Sequence, residues 1–300
     1  MAKNSMHVQS RRYSGEDRGG WACGNWFEFL LVVVVASILL LGALGLVIFW
    51  VFNYRNGVGW LDEPELLFNY HPILMIAGFV TLSGFSVLMY RICRCCRRIY
   101  VKLLHTLFHL LAIPCVVFGF MAVLESHNRA TPEPIPNFYS LHSWMGFVTM
   151  GLFVLQFVVG FFSFLVLLCC ENATASFRAS LVPIHATFGI TTFLLAVATC
   201  LTGLTEKVFF TLNSSYSLLP EEGIVVNALA MVLVAIAIFV SYALARQEFK
   251  PQKETYSEFP LEGIVVNTLA VVLVALAILL SYAVRRELPI GSTLKVAEIK

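Results

Sequence analysis

The sequence predicts an all-α, polytopic membrane protein, and three observations carry that expectation. Seven uncharged apolar runs occur, at 29–52, 72–90, 103–124, 141–170, 179–205, 223–245 and 263–284, and each approaches the roughly 20 residues a helix needs to cross hydrocarbon. The chain of 300 residues is 59% hydrophobic and only 13% charged, with a mean hydropathy of +0.82. A soluble domain of this length needs far more charge to cover its surface. The remaining charges change sign from one loop to the next, which assigns the loops to opposite sides.

The first run follows a polar stretch, 1–28, that lacks the short apolar core and small-residue cleavage pattern of a secretory signal, so it reads as a retained helix. Between the first and second runs Asp62, Glu63 and Glu65 face a lone Arg55. Between the second and third lie Arg91, Arg94, Arg97, Arg98 and Lys102. The positive-inside rule places the basic loop in the cytosol and the acidic loop outside. The tail with Lys3, Arg11, Arg12 and Arg18 then falls inside, as a single first crossing requires. On this threading Asn213-Ser214-Ser215 is an outer sequon open to glycosylation, and Asn172-Ala173-Thr174 is a silent inner one.

The last third holds an internal repeat. Glu222-Gly-Ile-Val-Val-Asn227 recurs as Glu262-Gly-Ile-Val-Val-Asn267, and Ser241-Tyr-Ala243 recurs as Ser281-Tyr-Ala283. Such near-identity marks a recent duplication, or two alternative exons read into one chain. If the sixth helix ends inside at Arg246, a seventh would carry Arg285 and Arg286 outward, against the charge rule. The expected organisation is a cytosolic tail at 1–28, a six-helix membrane domain at 29–250, and a duplicated sixth-helix segment with its tail at 251–300. Whether that copy forms a seventh helix stays open. No polar stretch is long enough to bury a second core.

The eight cysteines do not form a disulfide framework. Cys115 and Cys200 lie within helices and read as small apolar residues. Cys93, Cys95 and Cys96 flank the basic loop, and Cys169 and Cys170 end the fourth run. A zinc site would need further ligands at compatible spacing, so the alternatives are juxtamembrane acylation and plain thiols.

Histidines carry the functional signal. His71, His105, His142 and His185 each stand near the start of an apolar run, and successive runs cross in opposite directions. Antiparallel threading therefore puts His71 and His142 near one face and His105 and His185 near the other. Imidazoles at hydrocarbon depth are expensive unless they serve a function, and two such pairs suit two bis-histidine haems stacked across a bilayer. Neutral imidazole on both axial positions fits electron transfer, since no position is left for oxygen. Pro72 and Pro183 place His71 and His185 at helix starts, where proline is tolerated. Gly78, Gly84, Gly119, Gly146, Gly151, Gly160 and Gly189 offer room for porphyrin or simply close packing. His109, one turn from His105 on the same face, is a competing ligand.

His71-Pro-Ile-Leu-Met75, Lys102-Leu-Leu-His105, Tyr139-Ser-Leu-His-Ser-Trp144, Pro183-Ile-His185 and Gly203-Leu-Thr-Glu-Lys207 together resemble the cytochrome b561 family over roughly residues 29–250. The segment from Tyr216 to Asn227 looks most like the family's duodenal type, a plasma-membrane ferric reductase. The resemblance implies six helices with a four-helix core around two haem b groups, and transfer of electrons from cytosolic ascorbate to an acceptor outside. It pairs His71 with His142 on the non-cytosolic haem and His105 with His185 on the cytosolic one. It places Lys102 and Arg178, with Arg91 as a weaker third, at the ascorbate site, where cations would concentrate and orient a monoanion. Arg94, Arg97 and Arg98 depart from the family's loop and read as lipid-headgroup anchors. In the outer loop the resemblance places His127, Asn128 and Glu222 at the acceptor, a donor set suited to a hard cation or its chelate. Implied partners are ascorbate, ferric iron or its chelate, membrane lipid and a second copy of the chain, with no nucleic acid.

Three alternatives remain open from sequence. One is a monodehydroascorbate reductase of a vesicle membrane, another a quinol-linked di-haem subunit, and the third a non-catalytic membrane protein whose histidines bind metal or protons. The acceptor is open among ferric iron, cupric ion and monodehydroascorbate. The plasma membrane is favoured over endosomal, lysosomal or secretory ones.

Overall fold

The computed structural model describes residues 2–93 and 96–246, with side chains described from residue 26 onward except at 168, 169, 171 and 172. It is built of helices: α1 (Ala2–Tyr54), α2 (Pro64–Phe68), α3 (Tyr70–Met75), a π-helical turn at Ile76–Leu82, α4 (Ser83–Ile92), α5 (Arg98–Asn128), α6 (Leu141–Phe164), α7 (Glu171–Leu212) and α8 (Glu221–Ala245). Six helical runs among the described residues are long and apolar enough to span a bilayer: Trp26–Tyr54, Pro64–Ile92, Arg98–Asn128, Leu141–Phe164, Ala173–Leu218 and Glu221–Ala245. The chain is a multi-pass helical membrane protein. The duplicated copy at 256–289 and the tail beyond it lie outside the described residues. On the family resemblance, deleting 256–300 is expected to leave haem per chain and ascorbate-dependent reduction intact, because every candidate ligand precedes the cut. Haem per chain in the purified truncation checks this.

The helices divide between two compact units. Among the described residues, the first comprises 2–93, 96–157 and 183–246, and the second 158–182. All four paired histidines belong to the first. In the second, a 3-10 turn at Val166–Cys170 follows α6. The Thr174 hydroxyl donates to the carbonyls of Leu167 and Cys170 at 3.0 and 2.9 Å, fastening that turn to the start of α7.

In the first unit, α1 and α8 form one seam. Ala36, Leu40, Ala43, Val47 and Val51 are fully buried, as are Leu229, Leu233, Ile236, Val240 and Ala243. Both sets follow the three-and-four spacing that lets side chains of one helix fill holes in the other. Where lipid is as apolar as leucine, this packing rather than the hydrophobic effect holds helices together. Polar clamps fix the antiparallel register at both ends. Arg246 pairs with Glu28 at 2.8 Å, and Tyr242 also donates to Glu28. At the opposite end Trp50 Nε1 donates to Glu222 at 2.9 Å and Arg55 reaches the same oxygen at 3.4 Å.

The second span is the irregular one. Its π turn re-phases the helix between His71 and Ser86, and π turns concentrate at functional sites. Ser83 Oγ donates to the Gly78 carbonyl at 2.9 Å, and Thr81 Oγ1 donates to the Leu40 carbonyl at 3.1 Å, so the turn is tied internally and to α1. Gly84 allows that approach, since a Cβ there would stand 2.5 Å from Leu40 Cδ2.

One sequence expectation about helix starts is corrected. Pro183 lies inside α7 rather than opening it. A proline removes one backbone hydrogen bond and strains the preceding turn, but helix on both sides can persist. It instead marks where the first compact unit resumes. His71 does stand at a helix start, in the first turn of α3 with Pro72 beside it, while Pro64 opens the preceding α2 at the position proline favours.

Candidate functional site: two facing histidine pairs

His71, on α3, faces His142, at the start of α6, with ring centres 5.9 Å apart and planes at 88°. His105, on α5, faces His185, on α7, at 6.2 Å and 75°. An iron between two opposed imidazoles at ~2 Å per bond, as for other imidazole–metal bonds, separates ring centres by roughly 6 Å. Both pairs have that separation.

The far side of three rings is fixed by backbone carbonyls. His71 Nδ1 lies 3.0 Å from the Gly119 carbonyl, and His142 Nδ1 lies 2.9 Å from that of Thr199. His105 Nδ1 lies 3.0 Å from the Ser86 carbonyl and 2.9 Å from its hydroxyl, while that hydroxyl donates to the His105 carbonyl at 2.8 Å. A carbonyl can only accept, so Nδ1 carries the proton in each case and the Nε2 lone pair is left for a metal. This is the outer support that metal-bound histidines usually have. His109 differs. Its ring stands perpendicular to His105 at 4.7 Å and edge-on to Phe153 at 5.6 Å. Its buried Nδ1 has no hydrogen-bond partner among the described residues. The supporting pattern therefore favours His105 as the ligand.

The two pairs are set apart along the same helices. On α5, His105 belongs to one pair and the Gly119 carbonyl supports the other; on α7, His185 and the Thr199 carbonyl do the same. Both intervals are 14 residues, which is about 21 Å of helix at ~1.5 Å per residue. Two sites so spaced divide a hydrocarbon layer of ~30 Å. Space beside His142 comes from a cavity of about 510 Å³ bordered by Ser140, Leu201, Thr205, Glu206 and Phe209. Gly203 leaves the ring its position, because a Cβ there would lie 2.6 Å from His142 Cε1.

The outer end gathers part of the sequence-predicted acceptor set. His127 Nδ1 lies 3.0 Å from Asn137 Oδ1, and Asn137 Nδ2 donates to Asn128 Oδ1 at 3.0 Å, so His127 and Asn128 are joined through a residue sequence reasoning missed. Glu222 is instead engaged by Trp50 and Arg55 at the end of α1. Lys207 lies within electrostatic range of Arg55, Glu65 and Glu222 and places its ammonium 3.9 Å over the Phe68 ring.

At the inner end Lys102 sits in the first turns of α5 and is partly exposed. Arg91 is buried and donates to the Leu244 carbonyl near the end of α8, so it ties α4 to α8 instead of lining an open mouth. Arg178 belongs to the second compact unit and is described there as partly exposed. Of the loop thiols, Cys96 is exposed, and burial beside Cys96 pushes the Cys93 thiol pKa upward.

Comparison with known proteins finds relatives over most of the chain. The description of eukaryotic cytochrome b561 matches residues 70–211, which contain all four. A plasma membrane ascorbate-dependent reductase of Rattus norvegicus is 36% identical over 226 residues, covering 74% of this chain and 76% of that protein. This chain belongs to the cytochrome b561 family. A transmembrane ascorbate-dependent reductase of Ovis aries is 39% identical over 201 residues, covering 67% of this chain and 76% of that one. A lysosomal membrane ascorbate-dependent ferrireductase of Mus musculus is 37% identical over 224 residues, covering 71% and 89%. As a b-type cytochrome family, these are haem b proteins, and the facing imidazoles with their protonated Nδ1 atoms fit that group.

Proposed function

We propose that this cytochrome b561 carries single electrons across a membrane, from cytosolic ascorbate to ferric iron or its chelate on the other side, using two haem b groups. The observation that supports this best is the pair of opposed imidazole couples, alike in separation and set about 21 Å apart along α5 and α7. The names of the relatives supply the reductant and the class of acceptor. His71 and His142 hold the outer group and His105 and His185 the inner one. Haem, when bound, supplies reversible one-electron iron chemistry that no protein side chain offers.

The chain's own residues bind, orient and exclude. Each imidazole couple would hold one haem iron and would leave no site on it for oxygen. Lys102 attracts the ascorbate monoanion, which gives up one electron and one proton to become monodehydroascorbate. Arg178 is a second cationic candidate on the cytosolic side. Arg91, already committed to Leu244, is the weakest of the three. Outside, His127 and Asn128 hold the acceptor, and one ferric ion becomes ferrous per electron. Glu222 contributes charge from its place beside Arg55. The plasma membrane is the proposed location, and a homodimer the proposed assembly.

Lys102→Ala and Arg178→Ala, made separately, are each expected to slow reduction by ascorbate on the order of 10-fold at low salt, the scale of electrostatic steering. Reduction by dithionite should not change, because these cations do not hold the cofactor. Stopped-flow absorbance at several salt concentrations measures both. An unchanged ascorbate rate at low ionic strength, where attraction is least screened, would remove that residue from the site.

A further inference from the structure

One contact chain at the outer end is not absorbed by ligand holding or substrate binding. Phe68, the last residue of α2, lies 6.0 Å from the His71 ring and 6.3 Å from the His127 ring, centre to centre, and is nearly parallel to His127 at 11°. We infer that Phe68 is the positioning residue that couples an acceptor held at His127 to the haem ligand His71. The inference rests on the proposed roles of His127 and His71.

The local structure suits this task. Asn69, directly after Phe68, is buried, and its side-chain amide donates to the carbonyls of Arg55 and Gly57 at 2.9 and 2.6 Å. The backbone carrying Phe68 is thereby pinned to the end of α1. The Lys207 ammonium at 3.9 Å from the ring centre adds a cation–π contact that restrains the ring itself. His127 is oriented as well. Asn137 donates its amide N–H to Asn128, so its Oδ1 faces His127 and accepts from Nδ1–H. That tautomer leaves Nε2 as the free electron pair for a metal chelate.

Electron tunnelling decays more gently through atoms in van der Waals contact than across solvent or an open gap. His71, Phe68 and His127 are three rings in series, with neighbouring centres 6.0 and 6.3 Å apart. Phe68 stays a neutral ring throughout: no bond forms or breaks on it, one electron leaves, and ferric iron becomes ferrous with no proton transferred. A purely packing role would instead show itself in haem content or in chelate binding.

The test uses full-length holoprotein with Phe68→Leu, Phe68→Tyr, His127→Ala and the Phe68→Leu/His127→Ala double substitution. Three quantities are read: haem per chain with the outer difference spectrum, the Kd for redox-inert gallium(III) citrate, and the rate of reoxidation by ferric citrate. Phe68→Leu should keep haem and gallium citrate affinity while slowing reoxidation on the order of 10-fold, the scale of lost reactive geometry. Phe68→Tyr should keep the rate. His127→Ala should weaken gallium citrate binding, and the double substitution should be no slower than His127→Ala, because residues on one path are not additive. A Phe68→Leu protein that reoxidises at full rate, or that loses gallium citrate affinity in proportion to its rate, overturns the coupling role. If His127→Ala changes neither affinity nor rate, the acceptor site itself is misplaced and the relay falls with it. Should Phe68→Leu lose haem, Phe68→Met, unbranched and of similar volume, carries the same comparison.

Discussion

His71→Ala and His142→Ala each remove about half of the haem per chain and the same spectral component, while His105→Ala and His185→Ala remove the other half. The expectation follows from the pairing geometry: each couple shares one metal position, and the carbonyls that hold the outer couple lie 14 residues along α5 and α7 from His105 and His185 of the inner one. A couple that lost one of its two imidazoles would hold the group far more weakly. The remaining component should still be reduced by ascorbate when the inner couple is intact. Pyridine haemochromogen content and reduced-minus-oxidised spectra of the four variants check this. Loss of the same component from His71→Ala and His105→Ala would break the pairing. His105→Ala also decides the place of His109: retention of both components would mean that His109 ligates in its stead.

Gly203→Val abolishes the outer component without replacing a ligand. Even a methyl group at this position stands 2.6 Å from Cε1 and 2.8 Å from Nδ1 of His142, and the ring cannot turn away without giving up the Thr199 carbonyl. Overpacking of a tight contact costs about 1–3 kcal/mol, and here it falls on the orientation of a ligand. Gly189→Ala on the same helix is the control, since a Cβ there meets nothing within 4 Å. Outer-haem absorbance per chain should fall in Gly203→Val and hold in Gly189→Ala. Equal spectra in both would mean that His142 has room to move and that Gly203 is only a packing residue.

The fold was legible because hydrocarbon imposes it. Runs of membrane length and loops of alternating charge leave little freedom, and the structure differs mainly at the ends, where residues beyond the apolar runs, such as Pro64 and Glu221, extend the helices. The four histidines were legible because antiparallel threading turns sequence position into depth. What surrounds them was not. The Ser86 carbonyl reaches His105 only because a π turn shifts the phase of the second span, and no apolar pattern records such a turn. Pro183 was misread because proline starts helices more often than it interrupts them, and both uses look alike in sequence. Arg91 looked like an open cation because it borders a basic loop, yet its partner is a backbone carbonyl at Leu244, which sequence cannot pair. Trp50 and Arg55 bind Glu222 across the bundle, and sequence cannot pair those residues either. Phe68 and Lys207 lay inside or beside recognisable stretches, but only their ring and ammonium contacts show a use.

The central claim is electron passage across a bilayer, and sealed vesicles test it most directly. Purified protein is reconstituted with ascorbate trapped inside and a membrane-impermeant ferric chelate with a ferrous indicator outside. Ferrous iron should form outside at a rate that tracks the internal ascorbate. It should fall to the protein-free rate in both His71→Ala and His105→Ala, since each removes one of two sites in series. Undiminished external reduction in either variant, or none with intact holoprotein, would contradict a two-site path from ascorbate to iron.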